Sequence, residues 1–320
     1  MSAHHLQLLS AAGLSDDAVA SLLVDLAQPK QEPIVWNEDT KFWKRYKILP
    51  RVIGSGGFGD VYVGKNTEGK KFAIKILSRP SSNVDQEIQM ARSIQSICSP
   101  HFVCYVEHAI VDFPIGGLLK KRAIVFDYVA GKDLTAYMDQ EDDKTSKKSY
   151  KSVDMLLVEQ WFCSALKGLA VLHRQKIAHR DVKAENIRVV EGDKVVYLDL
   201  GFSCHTSGSL EPRCNLTRII GTPCITMSFD AAVNFGKVRD ENFALAEDVY
   251  ALAQSFYPFF TGFDSPTCQL EDRYAIEKNV EQLTQEETIS LIIKANEEEM
   301  FATRTEILNH VGQERVALVD

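Results

Sequence analysis

With 320 residues, 45% of them hydrophobic and 25% charged, the chain has the composition of a globular protein of one large or two moderate domains. Its net charge of −8 lacks the basic footprint of a nucleic-acid binder, which argues against nucleic acid as the main partner and leaves only a local basic groove open. No apolar run reaches the length of a membrane span, and the opening MSAHHLQLLSAAGLSDD has no charged region followed by a long apolar core, so neither a span nor a secretory signal is expected. The seven cysteines (98, 104, 163, 204, 214, 224 and 268) are scattered, odd in number and free of any CxxC pair. They read as reduced thiols of an intracellular, cytoplasmic protein, with the nucleus left open, rather than as a disulfide framework or a zinc site.

In chain order, residues 14–28 read as an amphipathic helix. Ser15 is its N-cap, Asp16 and Asp17 suit the positive end of the dipole, and Pro29 stops it. Val19, Leu22, Leu23 and Leu26 share one face, which either packs on the main domain or docks a partner. Residues 29–43 read as linker. From Tyr46 the pattern becomes strand, glycine-rich turn, strand, turn, strand, through YKILPRVIGSGGFGDVYVGKN and KFAIKIL. A helix is expected over 83–97, and strands over 102–107 and 122–129. The pattern turns helical after Gly131. Met155–Arg174 reads as a long helix behind a polar surface insert, QEDDKTSKKSYKS. NIRVV and KVVYLDLG form a hairpin turning at Glu191-Gly192-Asp193, and most of the chain beyond Asp248 reads as helix.

Two stretches carry chemistry. In GSGGFGDV the glycines Gly54, Gly56 and Gly59 have the spacing G-x-G-x-x-G, which alone marks little more than a turn. A dinucleotide fingerprint needs a helix straight after these glycines, but Val61-Tyr62-Val63 continues as a strand, so they cap a hairpin. The next strand holds Lys75 beside Ala73 and among apolar neighbours, where an ammonium needs an anionic partner. The second stretch is HRDVKAEN, residues 179–186. Asp181 can accept a proton from a hydroxyl, Lys183 can neutralise charge on a phosphoryl group, and Asn186 offers a carbonyl oxygen to a cation. Asp199 in DLG supplies a second hard oxygen suited to magnesium. A flexible cover, a cation, two oxygen ligands and a base are the parts that phosphoryl transfer requires.

These motifs, in this order, resemble the eukaryotic-type protein kinases over roughly residues 46–310. The resemblance implies an α+β, two-lobed fold with an antiparallel-sheet N-lobe at 46–129 and a mainly helical C-lobe at 130–320, behind an N-terminal helix and linker at 1–45. It implies ATP and Mg2+ as cofactors and proteins as substrates. It makes Gly54, Gly56 and Gly59 the phosphate cover, with Val61 and Ala73 lining the nucleotide site. Lys75 becomes the phosphate-binding lysine, Asp181 the base, and Asn186 and Asp199 the metal ligands. FDYVAGKD resembles the hinge, with Phe126 as gatekeeper, the backbones of Asp127 and Val129 at the adenine edge, and Asp133 at the ribose. Lys183 and Thr222 of GTP are similar to the Ser/Thr-specific subgroup. Asp248 resembles the aspartate that braces the catalytic loop, and His179 a structural histidine beneath the metal-binding turn.

Several points stay open at the level of sequence. Glu87 is either the carboxylate paired with Lys75 or an exposed helix residue. Arg180 implies a phosphorylated partner at Ser207, Ser209 or Thr217, or these are unmodified hydroxyls. DLG stands for DFG. The usual Ala-Pro-Glu is absent after GTP, leaving Asp230 and Arg304 as a substitute ion pair. Arg188 stands where the family places an apolar residue under the adenine: it either stacks on the base, lines the floor with its stem, or weakens ATP binding. An active Ser/Thr kinase is the favoured reading. A nucleotide-binding pseudokinase scaffold and a small-molecule phosphotransferase are the alternatives.

Overall fold

The computed structural model describes residues 34–56, 59–77, 82–95, 97–98, 100–114, 119–138, 153–190, 192–208, 212–215 and 242–261, with single residues or short pieces at 221, 225, 265, 268, 284, 287 and 289–291. The expected helix at 14–28, the polar insert, and Ser209, Thr217, Thr222, Asp230 and Arg304 lie outside the described residues.

The first lobe is built on a five-stranded antiparallel sheet. Its strands are β1 (Lys47–Gly56), β2 (Gly59–Lys65), β3 (Lys71–Leu77), β4 (Tyr105–Phe113) and β5 (Leu119–Asp127), in spatial order β1-β2-β3-β5-β4. The alternation in KFAIKIL divides β3 between two faces. Phe72, Ile74 and Ile76 pack with Tyr62, Val111 and Phe42, the last from the four-residue helix α1 (Phe42–Arg45) just ahead of the sheet. Leu77 on the other face packs with Ile124 and Phe126 against Ile88 and Ala91 of α2 (Ser82–Ser93). Lys75 shares this second face, so the alternation itself aims the lysine at α2.

The second lobe begins with β6 (Lys132–Asp133) and the short helix α3 (Thr135–Met138). Its centre is α4 (Met155–Arg174), whose N-terminus is capped by Asp154 accepting from the Leu156 N–H at 3.0 Å. Then come β7 (Ile177–Ala178), a 3₁₀ turn at Ala184–Asn186, β8 (Ile187–Val189), β9 (Val195–Tyr197), β10 (Cys204–His205) and α5 (Phe243–Thr261). Trp161, Leu169 and Leu172 of α4, Leu252 and Phe256 of α5, and Ile187 and Tyr197 of the β8–β9 hairpin form one buried core. The hairpin is fixed to α4 by polar bonds too: Tyr197 Oη donates to the Ala165 carbonyl at 3.0 Å, and Ser164 Oγ accepts the Val195 N–H at 3.1 Å.

Four expectations are corrected. The strand expected at 102–107 runs instead over Tyr105–Phe113, because the alternating buried residues are Ala109, Val111 and Phe113, while Phe102 makes an isolated bridge to Tyr197. The helix expected over 83–97 stops at Ser93 and gives way to turns. The reading of the cysteines as reduced thiols is overturned. Cys98 is bonded to Cys104 and Cys204 to Cys214, with Cα atoms 5.1 and 5.0 Å apart, and Cys268 is disulfide-bonded as well. No sequence motif marks these cysteines as bonded, and the intracellular placement loses the support it drew from reduced thiols. Finally, α4 is by length and composition apolar enough to cross a membrane. Val158, Trp161, Ala165, Leu169 and Leu172 are nevertheless buried in the lobe, as in a core helix.

Candidate active site

A cavity of about 680 Å³ is lined by residues of both lobes and collects every residue expected at the site except Gly56, which pairs with Gly59 across the first hairpin. Gly59 has φ +148°, and a Cβ there would stand 2.1 Å from the Ile76 carbonyl oxygen, so this position excludes any side chain.

Lys75 and Glu87 settle the first open point. Lys75 Nζ lies 2.7 and 2.9 Å from the two carboxylate oxygens of Glu87, and both residues are buried. Asp199 Oδ2 is 3.7 Å from the same ammonium. Burial opposes the charge on Lys75, but the carboxylates of Glu87 and then Asp199 outweigh it and raise the lysine above its ordinary range. Burial likewise opposes ionisation of Asp199, where Lys75 and the Gly201 N–H, 2.8 Å from Oδ1, prevail and hold the carboxyl below its ordinary range. A Cβ at 201 would stand 3.0 Å from Asp199 Oδ1, so a side chain there would push that carboxylate aside by a few tenths of an ångström.

The loop 179–186 is held from below. Asp248, buried in α5, accepts the His179 N–H on Oδ2 and the Arg180 N–H on Oδ1, each at 2.7 Å, and His173 Nε2 lies 3.0 Å from Oδ2. Arg180 has φ +66°, a left-handed conformation costly for a residue with a Cβ, and these bonds hold it there. His179 Nδ1 accepts the Asp181 N–H at 3.3 Å, which puts the ring proton on Nε2. Burial lowers the pKa of His179 and keeps it neutral. Asn186 Nδ2 donates to Asp181 Oδ2 and to the Asp181 carbonyl, both at 2.9 Å, and Lys183 Nζ lies 3.2 Å from Oδ2. Asp181 Oδ1 is buried and accepts no hydrogen bond among the described residues, although its side chain lines the cavity.

At the other end of the cavity, Asp133 Oδ1 accepts the Ala136 N–H at 3.2 Å and the Thr135 hydroxyl, capping α3. Arg188 crosses the floor from β8 to the hinge, where Nη1 donates to the Val129 carbonyl at 3.2 Å. Its head is therefore turned to the hinge, and its Nε is buried without a hydrogen-bond partner among the described residues.

The protein kinase domain family matches residues 48–315. The chain belongs to that family. Similar kinases include the probable serine/threonine-protein kinase zyg-1 of Caenorhabditis elegans, 27% identical over 243 residues, which are 73% of this chain and 30% of zyg-1. Serine/threonine-protein kinase Nek11 of Homo sapiens is 28% identical over 221 residues, 67% of this chain and 30% of Nek11. Mitogen-activated protein kinase kinase kinase 3 of Arabidopsis thaliana is 28% identical over 175 residues, 52% of this chain and 25% of that kinase. The chain thus spans about a quarter to a third of the length of these relatives.

The sequence left several features of this site unread, Ile53, Val103 and Leu198 on the cavity wall among them. Glu185 and Phe202 also line the cavity. Arg180 approaches Cys204 Sγ at 3.6 Å and the Asn215 carbonyl at 3.3 Å, positions that no motif marks.

Two measurements check the electrostatics of the site. Lys75→Ala leaves a buried carboxylate without its ammonium and should lower unfolding stability in urea by about 3–5 kcal/mol. The double variant Lys75→Met/Glu87→Leu should recover most of that loss. As pH falls from the unfolded value of 6.5 towards the lower folded value, the unfolded chain protonates His179 while the folded chain holds it neutral, so folding loses stability across that range. Because its folded pKa is depressed, its stabilising contribution is present above that range and lost below it. The fall in urea midpoint between pH 7.5 and 5.5 should accordingly be smaller in His179→Gln than in the parent protein.

Proposed function

We infer that this kinase transfers the γ-phosphoryl group of ATP to Ser or Thr hydroxyls of protein substrates. The observation that carries the reading is Asp181 on the wall of the cavity: its buried Oδ1 accepts no hydrogen bond among the described residues, and its other oxygen is held by Asn186 and Lys183. Oδ1 is the acceptor for the substrate hydroxyl proton. As the proton leaves, the hydroxyl oxygen bonds to the γ-phosphorus, the bond to the bridging oxygen breaks, and ADP departs. Lys75, fixed by Glu87, and Lys183 present positive charge to the phosphates. Lys183 on the catalytic loop favours Ser/Thr over Tyr, as its resemblance to the Ser/Thr subgroup implies.

The oxygen donors fit magnesium. Asn186 uses its amide nitrogen as donor to Asp181, which leaves its carbonyl oxygen for a cation beside Asp199. Among the described residues no cluster of three or more His, Cys, Asp or Glu forms a closed metal cage, and magnesium bound with a nucleotide needs only one or two protein oxygens. When bound, magnesium neutralises phosphate charge. Arg188 favours a second reading, a nucleotide-binding scaffold, because its guanidinium occupies the hinge side of the base subsite.

Transfer of label from γ-labelled ATP to a generic basic protein separates the two. Asp181→Asn should lower kcat by about 10²–10⁴-fold, the range that a positioned proton acceptor contributes. ATP binding by thermal shift should persist in that variant. No transfer by the parent protein, with ATP binding retained, would overturn the kinase reading in favour of the scaffold.

A further inference from the structure

The segment after Asp199 is closed into a loop. Cys204 is disulfide-bonded to Cys214. Inside that closure the His205 N–H donates to the Pro212 carbonyl at 2.8 Å, and the Cys214 N–H to the His205 carbonyl at 2.9 Å. The base of the loop is tied to the chain just before the catalytic residues. β10 pairs with β7, Thr206 N–H donates to the Lys176 carbonyl at 2.8 Å, and Ser203 Oγ donates to the His179 carbonyl at 3.2 Å.

Arg180 reaches both ends of this closure. Nη1 lies 3.6 Å from Cys204 Sγ, and Nη2 donates to the carbonyl of Asn215, the residue after Cys214. One guanidinium, on the residue before Asp181, thus spans the bridge. Both of these acceptors are neutral, so each bond is weaker than one to a charged oxygen. A cross-link limits the conformations open to the enclosed chain and keeps both acceptors in place without added charge.

We propose that the Cys204–Cys214 disulfide is the activating modification of this segment, holding it on Arg180 so that Asp181 is set for transfer, and that a dithiol reductant switches it off. The proposal rests on the phosphoryl-transfer reading and names the regulation of that same site. Cys204 is buried and Cys214 partly exposed, so Cys214 Sγ is the sulfur open to attack. A thiolate of the dithiol bonds to Cys214 Sγ, and the bridge breaks. Cys204 leaves as a thiolate beside the Arg180 guanidinium and takes a proton. The second thiol of the reductant then displaces Cys214, which is also protonated. Two electrons and two protons have passed to the bridge, and the reductant departs as its own disulfide.

The same protein sample gives the chemistry and the activity. In a non-reducing tryptic digest, cleavage after Arg213 separates residues 195–213 from CNLTR, residues 214–218. The two peptides share one mass only while the bridge is intact, and phosphate on Thr217 would add its mass to the smaller. Transfer to a basic protein is then measured for the full chain before dithiothreitol, after it, and after reoxidation. The series includes Cys204→Ser/Cys214→Ser and a Cys98→Ser/Cys104→Ser control. The oxidised protein should show linked peptides, and reduction should lower kcat at least about tenfold with ATP KM changed less than about twofold, the pattern of a lost positioning effect. Reoxidation should restore kcat. Cys204→Ser/Cys214→Ser should be slow and indifferent to dithiothreitol, and the control should respond as the parent does. If the first variant fails to fold, the reduction and reoxidation series in the control still decides.

Transfer that is unchanged by reduction, or equal in parent and Cys204→Ser/Cys214→Ser, would overturn the proposal and leave the kinase reading standing. Unlinked peptides with phosphate on Thr217 in the active protein would do the same. No transfer by the oxidised, linked protein would sink the kinase reading, and the proposal with it.

Discussion

The loop at 179–186 depends on one buried carboxylate. Asp248 accepts two consecutive backbone N–H groups, those of His179 and Arg180, and so holds Arg180 in a left-handed conformation that a residue with a side chain otherwise avoids. The turn this creates places Asp181 between His179 below and Asn186 and Lys183 beside it. It also throws the Arg180 side chain towards the bridged segment after Asp199. Without Asp248 the two N–H groups would be buried donors lacking acceptors, and the left-handed residue would relax.

A second constraint works from the opposite lobe. Lys75 and Glu87 are both buried, and such a pair costs desolvation that its attraction only partly repays. Its value lies in placement: it ties β3 to α2 and leaves the ammonium within 3.7 Å of Asp199, which hangs from the second lobe. The two lobes therefore meet through charge on the wall of the cavity. Arg188 makes a comparable tie at the base end, joining β8 to the hinge.

Much of this was legible in the sequence because the chemistry is local in sequence. Asp181, Lys183 and Asn186 fall within six positions, and the glycines and Lys75 follow one another through two strands whose alternation is plain. Glu87 was the natural partner for Lys75, but only the packing of Ile88 and Ala91 under the sheet fixed which way its helix faces. The β8–β9 hairpin followed from its turn residues, and the structure pairs Ile187 with Tyr197 and Val189 with Val195. The start of β4 was misread because Phe102 and Val103 are as apolar as a strand, yet tertiary contact draws Phe102 to Tyr197. The disulfides were invisible because cysteines six and ten positions apart fall in no CxxC pair or periodic pattern that would mark them as bonded. Arg188 was seen, but its choice between base, solvent and hinge is made by a carbonyl 59 positions away.

Asp248 acts through the loop at 179–186 rather than on the fold alone. Asp248→Asn keeps the shape of the side chain but replaces one accepting oxygen with a donor, so one backbone N–H loses its partner. The direct measurement is kcat for phosphoryl transfer beside the equilibrium affinity for ATP and the urea midpoint in this variant. In this variant kcat should fall by about a hundredfold or more while ATP affinity changes by less than about threefold, the signature of a group that positions the reacting centre. A kcat within about twofold of the parent protein, in a variant that folds, would contradict that role.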